Sequence, residues 1–440
     1  MRIAAHTLGC KLNFAETSHL LRQLTERGHR VVDFHSEADL YIINTCTVTA
    51  IAERKCRTAI RKAVRQNPQA QVAVIGCFAQ NGREQIEKIP GVTIILGNDE
   101  KHRLAEVISG QQAAGGGQRA AGGRQRVAGG RRQVAGDNGG QWEFSTAWSS
   151  GDRTRAFLKI QDGCDYFCTY CAIPLARGRS RSATIDEVVS TAREIGNIGA
   201  KEIVLTGVNT GTFGLHTGER FIDLLRRLDE VESIARYRIS SIEPNLITEE
   251  IIDFTAQSRA FLPHFHIPMQ AGSDNVLRLM HRHYDTSLYR ERIEYIKRRM
   301  PDACIAADII AGFNGESDED FKETIRFVES LPLSYLHVFT YSERPHTVAL
   351  KLTPRTDMHI RRQRSQELHT ISERKMSAFV ESQLGKRRAV LWESSRHAGE
   401  MYGLTDNYIR VRQKYTPELS NTVTEVTLTK ENIVVGAPTD

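Results

Sequence analysis

Nowhere in the 440 residues do about 18 apolar residues run together, so no membrane-spanning helix is expected. The opening Met1-Arg2-Ile3-Ala4-Ala5-His6 enters a short strand pattern at once and lacks the apolar region of a secretory signal. Cysteine is scarce, eight in all, and clustered. In a long chain without a secretory signal such thiols are expected to be reduced and metal-bound rather than paired in disulfides. The expected setting is therefore the cytoplasm, with no membrane partner, and the expected state a monomer. Strong charge is also missing. The formal net charge is +6, and five arginines (Arg119, Arg124, Arg126, Arg131, Arg132) stand against Asp137 in residues 110–140, so most of the excess lies in one segment. Charge alone thus says little about a nucleic-acid partner.

What is present is a stretch rich in thiols. Cys164-Asp165-Tyr166-Phe167-Cys168-Thr169-Tyr170-Cys171 is spaced C-x3-C-x2-C and follows a strand-like run, Ala156 to Ile160, closed by Asp162-Gly163. Thiolates are the usual protein ligands of iron–sulfur clusters, and three of them leave one iron of a cubane open to a small chelating molecule. A structural zinc site is the competing reading, but it normally joins two short Cys/His clusters. Buried inert thiols rarely come three to a loop.

Residues 1–108 read as repeated strand–turn–helix units, implying a parallel sheet covered on both faces. Each of three units carries a cysteine in its strand-to-helix turn: Cys10, Cys46 and Cys77. The carboxyl ends of parallel strands share one edge, where ligands bind, so these thiols are expected to converge as a second trio. Cys56 and Cys304 lack that placement and are expected in the core. Residues 109–150 carry an imperfect seven-residue repeat rich in Gly, Arg and Gln with no apolar seam, the composition of a flexible linker. From 151 to 378 six strands alternate with helices: Ala156–Ile160, Glu202–Thr206, Arg236–Ser241, Leu262–Ile267, Cys304–Ile310 and Tyr335–Thr340. That pattern fits a partial barrel with its chemistry at the strands' carboxyl ends. Polar or glycine residues there, Gly207, Asn209, Ser241, Glu243, Gln270 and Asp308, are candidate small-ligand contacts. Residues 379–440 read as a small β-barrel. There Lys386, Arg387, Arg388, Arg410, Arg412 and Lys414, with Trp392, Tyr402, Tyr408 and Tyr415, suit either stacking on single-stranded RNA or a solvated strand face.

The C-x3-C-x2-C loop, with an aromatic before its last cysteine, resembles the radical S-adenosylmethionine (SAM) enzymes. With Cys10, Cys46 and Cys77 the chain resembles their methylthiotransferase branch. The resemblance implies an α/β fold: an open parallel amino-terminal domain, a partial (β/α)6 SAM barrel and a TRAM domain. It implies two [4Fe–4S] clusters, an auxiliary one on Cys10, Cys46 and Cys77, and one that binds SAM on Cys164, Cys168 and Cys171. It implies chemistry carried by clusters and SAM, with no side chain acting as acid or base, an electron donor and a tRNA anticodon loop as partners. The stretches Asn44–Thr49, Thr206–Gly211 and Ser240–Glu243 look like the type that methylthiolates N6-threonylcarbamoyladenosine at tRNA position 37. Isopentenyladenosine and a ribosomal protein are the substrates of the other types. A non-catalytic electron carrier is the reading from a different class. Phe313-Asn314-Gly315-Glu316 departs from the family's usual Phe-Pro-Gly-Glu.

Overall fold

The computed structural model describes residues 1–114, 144–149 and 154–434. All but the first five residues of the seven-residue repeat fall in 115–143, outside the described residues.

The amino-terminal part runs β1 (Arg2–Thr7), α1 (Lys11–Glu26), β2 (Arg30–Val32), β3 (Leu40–Thr45), α2 (Ala50–Gln66), β4 (Gln71–Gly76), α3 (Cys77–Asn81), α4 (Arg83–Glu87), β5 (Ile94–Leu96) and α5 (Leu104–Ala114). Its five strands are parallel, in the order β2-β1-β3-β4-β5. Both faces are buried, which is why β3 reads as an unbroken apolar run. Leu40 and Ile42 pack with Leu20 and Leu24 of α1, while Tyr41 and Ile43 pack with Cys56 and Ile60 of α2. The strand order reverses between β1 and β3, the crevice where such sheets bind ligands. The helix of the third expected strand–turn–helix unit is broken into two short ones, α3 and α4, and the edge strands β2 and β5 are additional.

The central part runs β6 (Ala147–Trp148), β7 (Arg155–Lys159), β8 (Gln161–Asp162), α6 (Ile173–Arg177), β9 (Arg181–Ser182), α7 (Ile185–Asn197), β10 (Glu202–Thr206), α8 (Phe221–Asp229), β11 (Arg236–Ile239), α9 (Glu249–Gln257), β12 (His264–His266), α10 (Asp274–Leu279), α11 (Thr286–Arg299), β13 (Cys304–Ala311), α12 (Asp318–Ser330), β14 (Tyr335–Thr340) and α13 (Met358–Glu381). Parallel pairing links β7, β10 and β11, and also β12, β13 and β14. The parallel bridges Tyr237–Phe261 and Ser241–His266 join the two sets, giving six parallel strands in sequence order. Among the described residues no pairing closes β14 onto β7, so the barrel is partial. Side chains alternate along each strand. Leu158, Leu205, Ile239, Phe265 and Ile309 face the helix layer, while Phe157, Val204, Arg238, His266, Asp308 and His337 face the lumen. Helix starts follow the sequence: Thr184 with Glu187 and Ser317 with Asp320 form capping boxes on α7 and α12.

The expected 109–150 linker is shorter than its composition suggests. At its start α5 continues to Ala114, and at its end β6 pairs antiparallel with β7. Trp148 lies 3.8 Å beneath the guanidinium of Arg22, which also donates to the Trp148 carbonyl at 2.7 Å. This cation–π contact, the hydrogen bond and the β6–β7 pairing together dock the stretch. At the other end α13 runs across residue 378 and packs on β13 and β14.

The last part is an antiparallel sheet of β15 (Arg387–His397), β16 (Glu400–Thr405), β17 (Arg410–Lys414) and β18 (Val423–Thr427), in the order β17-β16-β15-β18. A Val411–Ile433 bridge curls its edge toward a half barrel. Trp392 and Tyr408, considered above as RNA-stacking rings, are instead core residues. Tyr408 covers Arg238 in the amino end of the lumen, and Arg238 donates to the carbonyls of Thr405 and Asp406, each at 3.0 Å. The sheet thus plugs the barrel's lower end. No helix among the described residues is long and apolar enough to cross a membrane.

Candidate functional site

The Cys164–Cys171 loop leaves the carboxyl end of β7 through Gly163, whose φ of +71° and close approach to the Arg179 carbonyl leave no room for a side chain. The loop is tied across the barrel mouth. Thr169 donates to Leu279 O from Oγ1 at 2.8 Å and to Met280 O from its amide at 3.1 Å, and its own carbonyl accepts from Ala349 N at 2.9 Å. Each sulfur has a donor. Tyr166 N lies 3.5 Å from Cys164 Sγ, Ile173 N 3.4 Å from Cys171 Sγ, and Arg282 Nη1 3.0 Å from Cys168 Sγ. Hydrogen bonds to sulfur are what an anionic thiolate site needs. Burial pushes the free Cys164 and Cys171 thiols up to about 12, so a metal that binds there must displace protons.

Arg282 was not singled out from sequence. Its side chain is 3 % exposed and donates to Tyr284 Oη at 3.2 Å and to the carboxylate of Glu243. Burial opposes its charge, but the Tyr170, Tyr284, Glu243 and Cys168 groups around it hold its pKa well above the ordinary arginine value. It joins Glu243, a sequence candidate, to the cysteine loop. Asn209, another candidate, is buried. Its amide faces the Tyr166 hydroxyl without a well-formed hydrogen bond, a polar group still to be satisfied. The Val208 and Asn209 amides both donate to Gln161 Oε1 at 2.9 Å, which fixes the loop that begins at Gly207. Gln270 sits at φ +62°, uncommon for a non-glycine residue. Ser241 and Asp308 are both engaged by His266: Ser241 Oγ at its Nδ1, and Asp308 Oδ1 2.8 Å from its Nε2.

The second trio also converges. A Cβ on Gly9 (φ +107°) would lie 2.9 Å from Cys46 Cβ, so glycine lets the Cys10 turn press against Cys46. Cys10, Cys46 and Cys77 lie within one another's electrostatic reach. Burial and the neighbouring thiols push Cys46 up to about 12. Asn98 Nδ2 lies 3.4 Å from Cys77 Sγ. Cys56 is fully buried, as expected, and receives the Cys46 amide at 3.4 Å. In neither trio do all three sulfurs lie within 4.8 Å of one another. Two thiolates on one tetrahedral zinc would be about 3.8 Å apart, so both trios are wider than a single zinc needs.

A buried charge network locks the two trios together. Glu16 of α1 contacts Lys101, Lys159 (3.0 Å) and Arg177 (3.2 Å). Asp162 contacts Lys159 (2.8 Å), Arg177 (2.8 Å) and Arg181 (3.0 Å). Arg177 also donates to Asn13 Oδ1 at 2.6 Å, and Asn98 to Ala176 O at 2.8 Å. Arg344, beyond β14, clasps Glu53 and Thr47 beside Cys46. Phe14 of α1 packs edge-on to Phe157, which draws the start of α1, with Cys10 and Lys11, to the barrel lumen.

Residues 2–97 match uncharacterized protein family UPF0004 and residues 158–328 the Radical SAM superfamily. The threonylcarbamoyladenosine tRNA methylthiotransferase MtaB of Bacillus subtilis is 36 % identical over 97 % of this chain and 94 % of its own. The MtaB of Aquifex aeolicus is 35 % identical over 96 % of this chain and 99 % of its own. The chain belongs to the radical SAM methylthiotransferases. The tRNA-2-methylthio-N(6)-dimethylallyladenosine synthase of Wolinella succinogenes is 31 % identical over 99 % of both. Among solved structures, the radical SAM methyltransferase TsrM of Kitasatospora setae superposes with a TM-score of 0.57 at 15 % identity, covering 78 % of this chain and 74 % of that one, a likeness of fold. Membership implies a [4Fe–4S] cluster and SAM, and the thiol loop with its three donors and the unsatisfied Asn209 fit that pair.

Proposed function

We infer that this methylthiotransferase adds a methylthio group to C2 of N6-threonylcarbamoyladenosine at position 37 of tRNA. The observation that carries the reading is two cysteine trios at one barrel mouth, in a chain alike over nearly its whole length to relatives named for that reaction. Cys164, Cys168 and Cys171 hold the cluster that binds SAM, and Cys10, Cys46 and Cys77 hold an auxiliary [4Fe–4S] cluster. Bound there, clusters and SAM supply one-electron chemistry, with electrons from a donor protein, for an aromatic C–H that acid–base groups activate poorly.

The chain's own residues bind and orient. The 207–209 loop, Glu243 and Gln270 line the SAM side, with Arg282 holding Glu243 against the cysteine loop. Tyr166, stacked on His283 with ring centroids 4.2 Å apart and bonded by Asn245 Nδ2 at 2.8 Å, walls the mouth against water. The Glu16–Arg177–Asp162 network holds the two trios in fixed relation, as a reaction that joins parts from both sides requires. An adenosine in an anticodon loop can be splayed into such a mouth with little unstacking cost. The test is mass spectrometry of tRNA nucleosides from cells with and without the gene. The 2-methylthio derivative of threonylcarbamoyladenosine should vanish on deletion. Loss of methylthiolated isopentenyladenosine instead would refute the substrate.

A further inference from the structure

One segment ties the loops of both trios together, and the strand that leads into it ends with a bare aromatic ring. After β14 the chain meets first the Cys46 side and then the Cys164–Cys171 loop. Ser342 Oγ accepts from Ala50 N at 3.1 Å, Arg344 donates to Glu53 and Thr47, and Ala349 N donates to Thr169 O at 2.9 Å. Along β14, Tyr335 packs under the last sheet, Leu336 is buried in the helix layer, and His337 stands edge-on to His266 with ring centroids 5.3 Å apart. With a period of two, Phe339 is the next residue on the lumen face, paired across to Ile310 of β13. Tyr341, just beyond the strand, packs against Phe313 and is buried, whereas Phe339 is 44 % exposed.

An exposed apolar side chain alone is ordinary. Here Val48 and Ile51, 52 % and 58 % exposed, flank the Ala50 amide that is tied to the end of β14, so apolar surface borders the mouth from two elements. The other rings of the cysteine loop are engaged. Tyr166 is stacked on His283, Tyr170 stands edge-on to Phe313 at 6.1 Å, and Phe167 has the Arg179 guanidinium over it at 6.0 Å. Among the described residues no ring or cation covers Phe339. A flat, uncharged face open to the mouth suits a flat ligand, and every nucleobase has such a face. Bases splayed out of RNA loops are held in this way, stacked on aromatic side chains. We propose that Phe339 is the stacking platform for the adenine that receives the methylthio group. This rests on the functional reading above. The ring lies on the strand whose continuation joins both trios, so a base resting on it lies in the space that they flank.

The test is a thermodynamic cycle between ring and base, read as binding of anticodon stem-loops to the cluster-reconstituted protein. One stem-loop carries threonylcarbamoyladenosine at position 37 and the other has no base there. Phe339→Ala should weaken binding of the first about 5- to 150-fold and leave the second within about twofold of wild type. Phe339→Tyr should bind both stem-loops as the wild type does. Phe339→Leu, which keeps apolar bulk without a ring, should fall nearer to alanine. Should Phe339→Ala fail to hold about eight irons per chain, Phe339→Leu takes its place in the cycle. A loss shared equally by both stem-loops, no loss at all, or binding restored in full by leucine overturns the platform. If the wild type methylthiolates the threonylcarbamoyl stem-loop while the cycle shows no coupling, the platform alone fails. If only an isopentenyladenosine stem-loop is methylthiolated, the functional reading fails, and the cycle run on that stem-loop still judges the platform.

Discussion

Arg282 carries more of the site than any other non-cysteine residue, touching Cys168, Tyr170, Tyr284 and Glu243 from a buried position. Arg282→Met should leave Glu243 with no counter-charge, at a cost of about 3–5 kcal/mol in a urea titration. Cluster affinity should also fall about 10–100-fold in a chelator competition, since the Cys168 sulfur loses its donor. Arg282→Lys should recover part of the stability and less of the cluster affinity, because a point charge cannot reproduce the guanidinium fork. Alanine at Cys46 or Cys77 should take iron from about eight to about four per chain by elemental analysis. The cysteines were legible because their spacing is local. Arg282 was not, because it is brought to Cys168 from 114 residues away and its own neighbourhood has no pattern. His266 escaped notice for the same reason. Asn314, which stands where the family usually has proline, is explained by its contacts. It accepts from Arg361 Nη2 at 3.0 Å and donates to Ala349 O at 3.2 Å, so the side chain secures a turn that proline would stiffen.

Among the elements, α1 does the most joining. Its Glu16 is pulled well below the ordinary glutamate range because Arg177, Lys101 and Lys159 outweigh its burial. That stabilisation is present above the ordinary carboxylate range and is lost only as pH falls through the lowered value, so the contact should survive mild acid. Glu16→Gln leaves three buried cations short of an anion and should cost about 3–5 kcal/mol by urea denaturation. Glu316, in the turn after β13, behaves oppositely. Burial outweighs Arg364, 2.6 Å away, and lifts its carboxyl from 4.5 to about 7. The folded protein therefore binds more protons than the unfolded chain between those values, and this contribution fades as pH rises through about 7. Thermal melts of the wild type should lose stability over that window relative to Glu316→Gln, and parallel curves would contradict the assignment. The barrel strands were read to within a residue or two, as at β10, β13 and β14. The three-residue edges β2 and β5 are too short to show a period of two.

At the scale of the molecule, two packed parts converge on one mouth and a third stands opposite it. The amino-terminal sheet presents its switch-point edge, the barrel its carboxyl ends, and the last sheet closes the far end of the lumen. That division was visible in the alternation of strands and helices. How the parts dock was not, because docking runs through single long-range contacts such as Phe14 on Phe157 and Arg344 on Glu53. For the same reason Trp392 and Tyr408, candidates for RNA contact by composition, turned out to be core. The central claim is that both trios serve one reaction on one nucleoside. It is tested most directly by incubating reconstituted protein with SAM, a reductant and a threonylcarbamoyladenosine-bearing anticodon stem-loop, then analysing the digested nucleosides by mass spectrometry. Conversion to the 2-methylthio derivative by the wild type, and its loss with Cys46→Ala or Cys168→Ala, is the predicted result. Product formed undiminished by Cys46→Ala, or none from a wild type that holds both clusters, would contradict it.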